Sequence, residues 1–395
     1  MTDLLQPADE AALAEAIAAA HAAKTPLAVE GAGTKNGFGR PLQTERTLTT
    51  RGMTGVTLYE PSEMVIGARA GTPLREVEAT LAEKGQALTF EPVDYRGLLG
   101  TSGEPTMGGL AASNNSGPRR IMAGACRDSL IGVRFVNGKG EIVKSGGRVM
   151  KNVTGLDLVK LMAGSWGTLG VMSEVIFKVL PAPAHVMTVV LHGLDDARAI
   201  EAMAAGLGSP FEVNGAAHLP SGVERVPKTL LRVEGFRESI AYRAGELRTV
   251  LKGFGPADVI EGDTAAALWR QIRDASFLAE PRDAAVWRVS VAPSRAAAAM
   301  AKLHPTLPVR SFYDWGGGLV WIAAAPAGDA GAAAIRGAFA GTGAHATLVR
   351  APAEVRAAVS VFEPQPAAIA ALSAGIKASF DPAGILNPGR MTAGL

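Results

Sequence analysis

Apolar and polar positions along this chain follow two periods that alternate. Ala8–Lys24 carries apolar residues at helical spacing among good helix formers, which predicts an amphipathic helix. Leu27–Val29 is a short apolar run that stops at Gly31 and predicts a strand. Thr72-Pro73-Leu74 presents a capping residue followed by proline, so a helix is expected to start there and close at Gly85. Ile131–Val136 and Glu141–Val143 flank Asn137-Gly138-Lys139-Gly140, the pattern of a hairpin with an Asn-Gly turn. Leu156–Met162 predicts a short helix, with Asp157 as its cap, and Gly170–Val179 alternates as a strand.

Pro181-Ala182-Pro183 interrupts this pattern and predicts a boundary. Beyond it, strand and helix periods alternate. Val186–Leu191 precedes Asp195–Ala205, Val286–Val291 precedes Pro293–Lys302, and Gly317–Ala323 is a further strand. Such alternation predicts a compact α+β arrangement. Ala367–Phe380 is helical, and the residues from Asp381 to Arg390 turn tightly. No internal repeat is evident beyond the alanine-rich helices.

Two glycine-rich stretches break the periods altogether. Gly31-Ala32-Gly33-Thr34-Lys35-Asn36-Gly37 lies in the first. It has the wrong glycine spacing for a dinucleotide fold, and Phe38-Gly39-Arg40-Pro41 cannot continue as the helix such a fold requires. Both a plain turn and a loop that binds pyrophosphate through its own N–H groups suit it. The second runs from Pro105 through Thr106, Met107, Gly108 and Gly109 to Ala111-Ala112-Ser113-Asn114-Asn115-Ser116-Gly117. Its small side chains and dense polar groups suit a flat polar ring packed on backbone, because buried polar loops need partners.

Composition narrows the function. A net charge of +2 and 5% aromatic residues give no case for nucleic acid or an anionic membrane. The single cysteine, Cys126, cannot hold an iron–sulfur cluster within this chain. The acidic start lacks a secretory n-region, and no apolar run reaches membrane-spanning length. The 395 residues predict two domains or one with an insertion, in the cytoplasm and at most peripheral to the inner membrane through a complex. The six histidines, His21, His185, His192, His218, His304 and His345, show no metal-ligand spacing, so no metal is expected.

The motifs resemble the FAD-binding domain of the vanillyl-alcohol oxidase and p-cresol methylhydroxylase family. The resemblance rests on Glu30–Lys35, Pro105–Gly117, Arg127-Asp128 with Gly132, Lys151-Asn152 with Gly155 and Asp157-Leu158, and Gly164–Gly170. Phe380–Arg390 is similar to the end of the 2-hydroxy-acid dehydrogenases of that family. Within it, Trp269–Phe277 and Trp315–Trp321 look most like the FAD-binding subunits of glycolate oxidases.

The resemblance implies an α+β fold in three parts. These are a two-lobed FAD-binding domain (1–182), a smaller ferredoxin-like α+β cap (183–350), and a segment returning to the flavin (351–395). It implies FAD held by Gly31, Ala32, Gly33, Thr34 and Lys35 at the pyrophosphate. Thr106, Met107, Gly108, Gly109, Ala112, Ser113, Asn114, Ser116 and Gly117 would lie along the pyrophosphate and the ring. Asp128, Gly170 and Val171 would meet the ribityl and adenine side, with Asn387 and Arg390 near the flavin. Many relatives attach FAD through a histidine where Thr34 stands here, so the FAD is expected to be non-covalent. The His-x-Gly-Asp-Gly-Asn motif of the dehydrogenases is absent.

Oxidation of a 2-hydroxy acid needs a cation for the carboxylate and a base for the hydroxyl proton. Arg273, Arg288 and Arg390 are candidate cations, and Asp157 and Asp314 are conceivable bases, though none stands out. The resemblance implies a second FAD-binding glycolate oxidase subunit and an iron–sulfur subunit as partners. The missing histidines point to that second flavoprotein for hydride abstraction. A free-standing FAD oxidase of an alcohol or sugar lactone is the alternative.

Overall fold

The computed structural model describes residues 3–148 and 155–395. The helix Glu10–Ala23 is capped by Asp9, which accepts from Ala12 N at 2.8 Å. It ends at Lys24, whose φ of 52° reverses the chain. Its buried face, Leu13, Ile17 and Ala20, packs with Leu27, Leu48, Val136, Ile385 and Leu386. A parallel sheet places Arg46–Thr49 between Asp3–Leu5 and Leu27–Glu30. A second, antiparallel sheet runs in the order Val56–Glu60, Val65–Arg69, Gly170–Lys178, Leu130–Asn137, Ile142–Gly146. The last two of these strands form the hairpin expected at Asn137-Gly138, with Asn137 Oδ1 accepting from Lys139 N and Glu141 N.

Two local expectations shift. The helix after Thr72 covers Leu74–Ala82 with Pro73 at its cap position. Thr72 is fully buried, and its hydroxyl instead bonds both Gly55 N and Gly55 O, at 3.0 and 3.2 Å. The helix expected from Leu156 starts at Leu158, and Asp157 caps it by accepting from Lys160 N. Lys151-Asn152 lies outside the described residues.

The strands from His185 to Arg350 form one eight-stranded sheet in which all neighbours are antiparallel. It contains a repeat that the sequence pattern hides. The elements His185–His192, Asp196–Leu207, Gly215–Leu219, Lys228–Gly235, Arg237–Val250 and Ala257–Glu261 follow a βαββαβ order. Ala285–Ser290, Pro293–Leu303, Val309–Asp314, Leu319–Ala324, Ala332–Ala338 and His345–Arg350 follow the same order. In each half the fourth strand lies beside the first, and the third lies between the first and the second, the ferredoxin-like arrangement. The halves join edge to edge where His218 pairs with Tyr313. The expected ferredoxin-like unit is therefore doubled. The repeat is one of topology and spacing, with different residues filling each half.

The helix Ala367–Phe380 leads back to the first sheet, where Leu386 bridges Leu27 in parallel. Lys377 anchors this return, bonding Thr168 O, Leu386 O and Asp381 Oδ2 at 2.6–2.9 Å. Among the described residues no helix is long and apolar enough to cross a membrane.

Candidate functional site

The strand Leu27–Glu30 delivers the first glycine loop to one side of an open cleft with about 670 Å³ of free space. Gly33 turns the loop at a φ of 73°, and Thr49 Oγ1 holds it by donating to Gly31 O at 2.7 Å. The second loop faces it. Thr106 caps the helix Met107–Ser113 by accepting from Gly109 N, and this helix buries Met107 and Leu110 in the core. Its two glycines have different duties. A Cβ on Gly108 would lie 2.7 Å from that of Ala70, so Gly108 is needed for packing. A Cβ on Gly109 would meet only the Thr106 hydroxyl, and Gly109 opens to the cleft.

A third wall is Trp166, Gly167 and Gly170–Met172. Trp166 sits at a φ of 54°, donates its N–H to Ala112 O at 3.0 Å and stacks on Phe38 with centroids 4.4 Å apart. Lys35 and Arg390 bring positive charge. Burial lowers the Lys35 ammonium to about 8, opposed by Asp94. Burial and the neighbouring Arg356 lower Arg390 to about 10. Arg390 Nη2 donates to Lys35 O, and its guanidinium lies 5.6 Å from the Trp166 ring. The one carboxylate among the lining residues, Glu30, accepts from Asn36 Nδ2.

Such a cleft, with backbone exposed at glycines, two cations and an aromatic wall, can cradle a flat ligand that carries phosphates. Two buried groups within the loop segments, Asn115 Nδ2 and Ser165 Oγ, have no protein partner among the described residues. Neither residue is among those lining the cleft.

Of the residues expected to hold a cofactor, Gly31, Ala32, Gly33, Thr34, Lys35, Thr106, Gly108, Gly109, Ala112, Ser113, Gly170 and Val171 line the cleft. Arg390 joins them. Met107, Asn114, Ser116, Gly117, Asp128 and Asn387 are not among its lining residues and make contacts within the protein. Met107 is 1% exposed in the core. Asn114 accepts from Arg127 N, Ser116 from Cys126 N and Asp128 from Ala125 N, all at 2.8–2.9 Å. Gly117 accepts from Trp315 Nε1. Asn387 accepts from Val29 N and donates to Val29 O and Trp166 O, a clasp behind the cleft.

Sequence reasoning did not assign Val29, Glu30, Asn36, Thr50, Trp166, Gly167 and Met172 to the site they line. Trp166 was the detectable one: a large aromatic between glycines, in Gly164-Ser165-Trp166-Gly167, rarely has a place in a simple turn.

Arg288 is not in the cleft wall. It projects from the strand Ala285–Ser290 over the Trp315 ring, 4.9 Å from its centroid. Arg273 pairs with Asp274, which also accepts from Asp94 N. Asp314, 2% exposed, accepts from Trp315 N at 2.7 Å. Burial raises its carboxyl to about 7 against the pull of that bond and of Arg232 and Arg288. Glu91 behaves oppositely. Burial pushes it up, but Arg232 and Arg119 outweigh burial and hold it at about 2. Cys126 is fully buried behind the second loop, where burial pushes its thiol far up. Among the described residues no three His, Cys, Asp or Glu side chains gather as a metal site.

A family model described as an FAD binding domain matches residues 3–146. Glycolate oxidase subunit GlcE of Escherichia coli (strain K12) is 33% identical over 384 residues, covering 97% of each chain. Glycolate oxidase subunit GlcD of Bacillus subtilis (strain 168) is 28% identical over 51% of this chain and 42% of its own length. The crystal structure of p-cresol methylhydroxylase with substrate bound superimposes with a TM-score of 0.73 over 99% of this chain and 88% of its own. At 14% identity that likeness concerns the fold.

Proposed function

Because this chain belongs to the FAD-binding oxidoreductase family of glycolate oxidase subunit GlcE, we propose that it is the FAD-binding subunit of a complex that oxidises glycolate, or a closely related 2-hydroxy acid, to the 2-oxo acid. FAD, when bound, supplies the two-electron acceptor for the C–H bond beside the hydroxyl. The observation that carries this reading is the convergence of both glycine loops, Trp166, Lys35 and Arg390 on one cleft.

The backbone from Gly31 to Lys35 would hold the pyrophosphate, with Lys35 and Arg390 offsetting its charge. Thr106, Gly109, Ala112 and Ser113 would meet the opposite side, and Trp166 would supply an apolar face. Attachment is non-covalent in this reading. Support comes from the lining, which includes no His, Cys or Tyr, and from Thr34 at the position where many relatives carry the linking histidine. Residues 1–182 would form the FAD-binding domain, 183–350 the cap, and 351–395 the returning segment.

Electrons would pass onward through a second FAD-binding subunit and an iron–sulfur subunit. Support is the single buried cysteine, which leaves this chain without a ligand set of its own for one-electron clusters. The complex would be cytoplasmic, with at most peripheral membrane attachment.

The test is a visible spectrum of the purified chain before and after acid precipitation, then anaerobically with glycolate and the partner subunits. One FAD per chain, released by acid and bleached by glycolate in the complex, is the expected result. A purified, folded chain that neither carries nor takes up FAD would overturn the reading, and flavin retained in the acid pellet would overturn non-covalent attachment.

A further inference from the structure

A second constellation lies where the end of the second glycine loop meets the eight-stranded sheet. Trp315 donates its indole N–H to Gly117 O at 3.0 Å, which fixes the ring against the loop. Two guanidiniums rest on that ring, Arg120 at 4.5 Å from the centroid and Arg288 at 4.9 Å. They come from opposite parts of the chain, Arg120 from the short helix after Gly117 and Arg288 from the strand Ala285–Ser290. Both are half-buried, and neither makes an ion pair or side-chain hydrogen bond among the described residues. The carboxylates whose charge reaches them are engaged. Asp128 caps Ala125 N and Asp314 accepts from Trp315 N, at 2.8 and 2.7 Å.

The backbone that presents Trp315 is also unusual. Trp315, Gly316 and Gly317 have consecutive φ values of 55°, 66° and 97°, in the left-handed region that a tryptophan disfavours. Such a conformation is retained where surrounding structure over-determines it, often at a ligand site. Two like charges gathered on one ring repel each other, and burial together with Arg288 lowers the Arg120 guanidinium. Neither charge is offset by a carboxylate in direct contact among the described residues. Tyr95 and Trp166 share a single buried cluster with Trp315, so one packed core carries both this place and the aromatic wall of the cleft.

We propose that Arg120 and Arg288, held against Trp315, form the binding site in this chain for the carboxylate of a small 2-hydroxy acid. The assignment rests on the 2-hydroxy-acid reading above, and it makes this subunit one that binds the acid as well as FAD. Two guanidiniums can bracket one carboxylate with parallel charge-assisted bonds. Cation–π contact with Trp315 holds both guanidiniums in place before the ligand arrives, so less rotamer entropy is lost on binding.

The experiment is calorimetric titration of the FAD-loaded chain, reduced beforehand under argon so that nothing turns over. Glycolate is the probe, and glycolamide is its neutral counterpart. FAD content and melting temperature are read for every variant. Wild type should bind glycolate and ignore glycolamide. R120Q and R288Q should each weaken glycolate binding by about tenfold or more, with FAD content unchanged. R120K and R288K keep the charge but not the fork and should fall between.

If a glutamine variant loses FAD or melts early, its lysine counterpart decides the matter by the same titration. Variants that bind glycolate like wild type, or a wild type that binds both probes equally, would overturn the site. So would a wild type that carries FAD but binds no glycolate, an outcome that leaves the FAD reading standing. A chain that never carries FAD, yet binds glycolate through these two arginines, would keep the site and reject the FAD reading.

Discussion

Gly31 and Thr106 touch across the two loops: a Cβ on Gly31 would lie well inside van der Waals contact distance of Thr106 Oγ1. The first loop can approach the second only because one side chain is missing. Gly31→Ala should therefore push the loops apart, costing about 1–3 kcal/mol of stability and most of the FAD affinity. Thr106→Ala in the same chain should recover part of the loss, since it removes the struck atom, although it also removes a helix cap. Thermal melting and flavin content of the two single variants and the double variant check this.

Substitution at Gly109 should separate folding from cofactor retention. Its added Cβ meets the Thr106 hydroxyl at 3.1 Å and nothing else nearby, whereas that of Gly108 meets Ala70. Gly109→Val is expected to fold with a melting temperature near wild type and to lose FAD. Gly108→Val is expected to melt early. A folded Gly109→Val chain with full flavin content would reject the placement of FAD beside this residue.

With the FAD pyrophosphate beside Lys35, FAD binding should depend on pH. Its ammonium is lowered to about 8 by burial, and an anion placed beside it favours the charged form and raises that value. Binding should thus take up protons around pH 8 and above, and FAD affinity should fall as pH rises through 8. Lys35→Met should bind more weakly at pH 7 and lose this dependence. Calorimetry in two buffers of different ionisation enthalpy measures the proton uptake directly.

Asp314 and Glu91 move stability in opposite pH windows. Asp314 titrates near 7 in the folded chain against an ordinary value of 3.8. The folded state therefore holds the extra proton between those values, and stability declines as pH rises through them, by about 4 kcal/mol. Asp314→Asn should flatten that decline. Glu91, held at about 2, stabilises the fold above pH 4.5 and loses this contribution as pH falls towards 2. Glu91→Gln should cost about 3 kcal/mol at pH 7, because it leaves the buried Arg232 guanidinium without its carboxylate. Urea titrations at several pH values test both.

Much of this architecture was legible in the sequence because local signals agreed with it. Asp157 caps a helix, Asn137-Gly138 turns a hairpin, and the stretch from Leu27 into Gly31 is a strand ending in a loop. The cleft residues were legible where glycines cluster. The polar residues between them were not, because Ser, Asn and Asp serve ligands and backbone turns by the same hydrogen bonds. Ser116, Asn114 and Asp128 each accept a backbone N–H of the protein here. The meeting of Arg120 with Arg288 is a product of long-range folding, as is the clasp of Asn387, and no local pattern encodes either one. The doubled ferredoxin-like unit escaped notice because topology repeats without residue repetition.

The clasp bears on how the protein is made. Asn387 lies 358 positions after Val29, and its bonds to Val29 and Trp166 brace two walls of the cleft. During synthesis the glycine loops leave the ribosome long before this residue exists. Contacts of such separation are among the last to form, since the intervening chain must close first. With FAD in this cleft, cofactor loading is expected to come late, with FAD acting on a nearly finished chain as a ligand that stabilises the folded state.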